Sequence, residues 1–154
     1  MKQKYFFIFI SLLFSPGICF SQSVPDDKLL IGMFDGRTPC QELAAQLKQE
    51  TTPECIKIKW RLKLYRDQAD EHTGTFTLLG FTFRDENKLN GRWNLIKGTA
   101  SNPDALVYEL VVPGRGNLLL QKINDDMLYF LDQQKNLMVG NYDFSYVLSR
   151  VEPK

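Results

Sequence analysis

The chain has 154 residues, 44% of them hydrophobic and 24% charged, with 19 Lys+Arg against 18 Asp+Glu. The apolar share excludes a disordered chain. The near-neutral charge excludes a general polyanion binder, so no nucleic-acid partner is expected, and the length suits about one domain.

Lys2 and Lys4 precede Tyr5–Phe14, a run without charge, and Ser15-Pro16-Gly17 follows it. A positive start, a short apolar run and a helix-breaking exit predict a secretory signal peptide over residues 1–21, cleaved after Ser21. The run is too short for a membrane span, which takes about 20 apolar residues. Cleavage leaves Gln22–Lys154 and turns the formal charge from +1 to −1. It also removes Tyr5, Phe6, Phe7, Phe9, Phe14 and Phe20 from an apparently aromatic-rich chain. The expected location is the periplasm or the exterior. The rival reading makes Cys19 a lipidated N-terminus, which would tie the chain to the outer membrane. Ile18 stands where a lipoprotein signal uses a small residue, so this anchor is not expected.

Residues 22–28 read as a flexible polar arm, and 29–151 as one domain. Leu29–Phe34 is predicted as the first strand and Asp35-Gly36 as a turn. Thr38-Pro39-Cys40-Gln41 then has the form of a capping box, with Thr38 as N-cap and Pro39 in the first helical position. A helix is predicted from about Pro39 to Gln49, ended before Thr51-Thr52-Pro53.

The clearest pattern is Ile56–Tyr65. Ile56, Ile58, Trp60, Leu62 and Leu64 alternate with Lys57, Lys59, Arg61 and Lys63, a period of two that gives a strand with one buried and one wet face. Its basic row reads either as a solvated face that discourages edge pairing or as a docking strip for an acidic partner, and the first is favoured. Further strands are predicted at Thr75–Arg84, Leu89–Ile96, Ala105–Val112, Leu118–Ile123, Met127–Leu131 and Tyr142–Val151. Gly80 marks a bulge or bend, and Leu137–Val139 is a short strand or an approach to the last one. Turns fall at Asp85-Glu86-Asn87, Pro113–Gly116, Asn124–Asp126 and Asp132–Asn136.

Strands follow strands without a helical crossover, so the sheet is antiparallel. The fold class is all-β: an up-and-down, lipocalin-like β-barrel of about eight strands with one short helix near its start, a sandwich being the other option. Trp60, Phe76, Trp93, Tyr108 and Phe130 are the leading core candidates. They either fill the barrel or line a cavity for a small apolar ligand.

After export, Cys40 and Cys55 are expected to form a disulfide. Closing a loop of this size stabilises by about 3 kcal/mol in the chain-entropy account. A redox pair would use Cys-x-x-Cys spacing. A zinc or copper site would need more ligands than these two and His72, the lone histidine. His72 sits in a polar turn without an evident nucleophile, so no catalytic residue is assigned. Asp125-Asp126 lacks the alternating oxygens of a calcium loop, and Gly114-Arg115-Gly116 reads as a hairpin rather than a phosphate loop. No metal, no cofactor and no enzymatic activity are expected, and the sequence assigns no ligand-binding residue.

Gly32-Met33-Phe34-Asp35-Gly36-Arg37-Thr38-Pro39-Cys40 resembles the Gly-x-Tyr-x-Gly-x-Leu-Pro-Cys start of the NlpE-type copper-resistance lipoproteins. Gly91-Arg92-Trp93 looks like that family's central Gly-x-Trp. Tyr108-Glu109-Leu110, Leu128–Asp132 and Tyr146-Val147-Leu148 resemble its closing strands. The resemblance covers Leu30 to about Arg150. It implies a lipocalin-like barrel of the cell envelope, linked to copper tolerance, surface adhesion and envelope-stress signalling, and not an enzyme. Cys40 matches the first cysteine of the family's Cys-x-x-Cys. A helical segment follows it here, and the partner assigned from the sequence is Cys55. The expected function is a non-enzymatic, exported binding or stress/copper-response module with an envelope protein as partner. The alternative is a carrier of a small apolar ligand.

Overall fold

In the computed structural model, residues 29–80 and 88–152 are described. The expected signal peptide (1–21) and arm (22–28), the end of the predicted third strand (81–84) and the predicted turn after it (85–87) lie outside them. The strands are β1 (Leu30–Pro39), β2 (Lys57–Arg66), β3 (Thr73–Leu79), β4 (Leu89–Lys97), β5 (Leu106–Val111), β6 (Asn117–Lys122), β7 (Met127–Leu131) and β8 (Val147–Val151), with helix α1 (Gln41–Gln46) between β1 and β2. Each strand pairs antiparallel with the next, and β8 returns to β1, so the sheet closes into an up-and-down barrel. Closure removes the edges that an open sheet of this size would expose.

The period-two reading of β2 holds along the strand. Ile58, Trp60, Leu62 and Leu64 are buried, while Lys57 and Lys59 are exposed. Ile56, expected on the inner face, is instead 66% exposed, because it precedes the first paired residue. All five predicted core aromatics are buried and belong to one contiguous cluster with the inward leucines of the other strands. Trp93 meets Tyr108 edge-on at 5.2 Å, and Trp60 meets Phe130 at 5.8 Å. The inward positions are therefore packed into one contiguous cluster.

The Gly91-Arg92-Trp93 segment has a packing reason. Gly74 pairs with Trp93, and Gly91 pairs with Phe76, across the same two strands. A Cβ at Gly74 would stand 2.7 Å from the indole nitrogen of Trp93, and one at Gly91 would stand 2.8 Å from the Phe76 ring. Each glycine thus makes room for the aromatic ring opposite it, a device that seats large rings inside a small barrel. The Trp93 indole N–H also donates to the Tyr65 carbonyl at 2.9 Å, which satisfies its buried polar atom.

The capping box is a correction. Thr38 and Pro39 belong to β1, paired with Ile58 and Lys57, and the N-cap is Cys40, without a side-chain capping bond. Thr38 is fully buried, and its hydroxyl accepts the Trp60 indole N–H at 2.8 Å. Burial of Trp60 requires that acceptor, and the strand register supplies it before a local cap can form. Pro39 sits at the strand end, where a missing N–H is tolerated. Gln41 uses its side chain differently from a capping glutamine: its amide donates to the Thr52 and Cys55 carbonyls, both at 3.0 Å. The helix is correspondingly shorter than predicted.

Two strand limits also differ from expectation. β1 runs through the predicted turn at Asp35-Gly36. The last strand starts at Val147 rather than Tyr142, because the Asn141 side chain accepts the Asp143 and Phe144 N–H groups and bends the chain there. Leu137 makes a single bridge to Leu131, and Met138 turns into the core. Val107, Leu119 and Leu131 form a smaller cluster on the opposite face from the inward Tyr108, Leu118, Leu120 and Phe130. This explains why Leu118-Leu119-Leu120 is buried as a continuous run.

Helix α1 contributes Leu43 to the core cluster, with Leu47 just beyond it. It is held to the approach of β8 by Tyr146, whose hydroxyl donates to the Glu42 carboxylate at 2.6 Å. Burial first, and Glu42 second, push the phenol above its ordinary value near 10. A phenol whose pKa is raised on folding contributes stability that is full below about pH 10 and is lost as pH rises beyond it. Tyr146→Phe is expected to cost about 1–2 kcal/mol at neutral pH and to shallow the alkaline loss of stability. Tyr108, raised chiefly by burial, leaves a residual slope. Urea midpoints from pH 8 to 11 check this, and parallel alkaline slopes in the two proteins would reject it.

Candidate functional site: a groove on the outer wall

The outward residues of neighbouring strands are set side by side by register. Asp35 of β1 faces Arg61 of β2 and Ser149 of β8, while Arg37 faces Lys59. Tyr129 of β7 pairs with Val147 of β8. Together with the 143–145 segment these side chains bound an open groove of about 800 Å³. Asp143 and Phe144 also line a second hollow of about 380 Å³, which continues past Pro39, Cys55 and Ile56. Phe144 is thus common to the two. Ile56, which lines the second hollow with it, is an exposed apolar side chain, as are Val139 and Tyr142 of the neighbouring segment, the last fully exposed.

The charges in this region are treated unequally. Arg61 makes a forked contact with Asp35, at 2.9 Å through Nε and 2.6 Å through Nη2, and this bond raises the guanidinium pKa further. The Lys57 ammonium lies over the Phe144 ring, 5.6 Å from its centroid. Arg37 and Lys59 face each other across the β1–β2 pair with no carboxylate within ion-pair distance among the described residues. Like charges placed directly opposite on paired strands destabilise a sheet. Their juxtaposition is therefore a feature of the surface rather than of the fold's stability.

The residues considered from sequence fall as follows. Cys40 and Cys55 are joined by a disulfide, with Cα atoms 5.7 Å apart, beside the second hollow. His72 is exposed in the β2–β3 loop, 3.5 Å from Asp70. Asp125 and Asp126 form the β6–β7 turn, tied to Lys122 at 2.7 Å and to Arg150 at 3.1 Å. Gly114, with φ 71°, carries the β5–β6 hairpin turn. Among the described residues, no three His, Cys, Asp or Glu side chains gather in a way that could hold a metal ion. No helix among them is long and apolar enough to cross a membrane.

Of the groove, the sequence singled out only the basic row. Arg37, Tyr129, Asp143, Phe144 and Ser145 carried no signal of their own, because what joins them is the closure of β1 onto β8. Comparison of the chain with protein-family models, with curated proteins and with solved structures returns no match.

Proposed function

We propose that the chain is a non-enzymatic, exported binding module of the bacterial cell envelope, of the NlpE type in its stress or copper response, and that it binds through its outer wall. The observation that carries this reading is the open groove beside Phe144 on the outer wall, set against one contiguous cluster of inward side chains from Phe34 to Leu148. Binding sites are concave, with a few converging polar groups among apolar ones, and this groove has both. The disulfide between Cys40 and Cys55 suits an oxidising compartment. In that state the two sulfurs are bonded to each other rather than offered to a soft metal. A copper response would therefore run through a partner and not through a metal held at this pair.

Two measurements test the reading together. Native mass spectrometry of the protein recovered from a bacterial envelope should give the chain from Gln22, lighter by two hydrogens, without retained metal or lipid. In cells producing the chain, Arg37→Glu with Lys59→Glu should reduce any copper-tolerance or envelope-stress response to the level of cells without it, at equal exported amounts. Copper or lipid retained on the purified barrel would overturn the outer-wall reading, and so would a full response from the doubly reversed variant.

A further inference from the structure

We infer that the occupant of the outer groove is an acidic, extended peptide segment of a partner protein, an inference that rests on the groove being the binding surface.

The first argument is shape. The groove crosses the outward faces of β2, β1, β8 and β7. Neighbouring strands lie about 4.8 Å apart, so the crossing measures roughly 14 Å, the span of four or five extended residues. Beyond Phe144 the second hollow continues the path. An open trough of this length matches a chain laid across the wall better than a compact molecule that must be enclosed.

The second argument is charge. Lys57, Lys59 and Arg37 gather at the β1–β2 side, where the neighbouring cation, Arg61, is already neutralised by Asp35. Arg37 and Lys59 face one another with no carboxylate at ion-pair distance among the described residues, and a carboxylate laid between them would relieve their mutual repulsion while gaining charge-assisted hydrogen bonds. The anions of the lining are Asp35, taken up by Arg61, and Asp143, in no ion pair among the described residues. Asp143 repels a carboxylate placed beside it, so the acidic residues of the occupant are expected at Arg37 and Lys59.

The third argument is the aromatic content. Tyr129 and Phe144 flank the trough and present ring surface to an apolar side chain placed between the acidic residues. Aromatic anchors next to basic residues are the composition of a protein-docking surface. A polyanion or an anionic membrane fits less well, because the chain as a whole has a formal net charge of only +1, and −1 after the expected cleavage.

The test uses the full exported protein and three fluorescent peptides about seven residues long. One alternates Glu with Leu and Phe, one carries Gln in place of Glu, and one carries Lys. The acidic peptide is expected to bind saturably, at least tenfold more tightly than the Gln peptide, and to weaken as salt rises. Arg37→Glu with Lys59→Glu should weaken it at least tenfold and bring the Lys peptide to comparable affinity. Lys97→Glu, an exposed cation on β4 away from the groove, should leave affinity unchanged. Thermal melts of both variants verify folding. Equal binding of the Glu and Gln peptides overturns the inference, as does equal loss in the Lys97 variant. Binding of anionic vesicles that is lost with Arg37 and Lys59, without peptide binding, replaces the peptide by a lipid surface and overturns it too. If no peptide binds while the doubly reversed variant loses its response in cells, the acidic occupant is wrong and the groove reading survives. If that variant keeps its response, the groove reading itself fails.

Discussion

Gly74→Ala is expected to destabilise the barrel by about 3–6 kcal/mol, although it adds a single methyl group. A Cβ at this position would run into the Tyr65 carbonyl and stand 2.7 and 2.8 Å from Nε1 and Cε2 of Trp93. The Tyr65 carbonyl is backbone, so it cannot swing aside, and it accepts the Trp93 indole N–H. Relief requires β2 and β3 to separate or the indole to withdraw. The first breaks the ladder between Arg66 and Gly74, and the second leaves a buried donor without its acceptor. With domains held by only about 5–15 kcal/mol, a loss of this size takes up much of the total. Urea denaturation measures it, with exposed Thr75→Ala as the neighbouring control, expected within about 1 kcal/mol of the parent. A Gly74→Ala midpoint close to that control would show that the Trp93 ring has room to move and that the Gly/aromatic exchange is not a constraint.

How much of this fold could be read in the sequence depends on where each residue's partner lies. The Ile56–Tyr65 alternation was legible because burial alternates within a single strand, and all five aromatics named as core are indeed inside. The Met127–Leu131 strand was placed at its observed limits, between two turns built by Asn and Asp side chains. The capping box misled because Thr-Pro-Cys-Gln satisfies every local requirement of a helix start. The requirement that prevailed belongs to Trp60, 22 residues away, whose indole claims the Thr38 hydroxyl. The start of the last strand misled for a smaller reason. The side chain of Asn141 captures two backbone N–H groups, and strand-like residues on its C-terminal side do not outweigh that local bond.

The groove was less legible than the fold. Its basic row is visible as Lys57 and Lys59, but a row of lysines on a wet strand face is ordinary. The row becomes unusual when Arg37 is set opposite Lys59 and Asp35 opposite Arg61, and this pairing follows from a register that the sequence does not print. Tyr129 lies about seventy residues from Lys59 and reaches the same groove only because β8 closes on β1. Phe144 arrives there through the Asn141 turn. A groove assembled from four strands and a loop is a property of closure, and only its basic row shows in the periodicity along the chain.

Removing the disulfide should have the other large effect. Cys40→Ala with Cys55→Ala is expected to lower Tm by roughly 10 °C under oxidising conditions, from a loss of about 3 kcal/mol. The bond ties the end of β1 to the approach of β2, 15 positions on in sequence, and the segment it closes contains the whole of α1. A helix of six residues does not hold its shape unaided. Without the bond, its attachments among the described residues include the burial of Leu43, Ala44 and Leu47, the Tyr146–Glu42 hydrogen bond, the Gln46 contacts with Met138 and Gln133, and the exposed Gln41 contacts with Thr51, Thr52 and Cys55. Loss is therefore expected locally as well as globally: amide exchange across residues 41–47 should rise before the β2–β3 ladder loosens. Treating the wild-type protein with a thiol reductant should reproduce the fall in Tm, while the double variant should be indifferent to reductant. An oxidised double variant that melts with the wild type would mean that packing of α1 alone holds this end of the barrel. The chain would then keep its fold in a reducing compartment, and the cysteine pair would lose its weight as an argument for export.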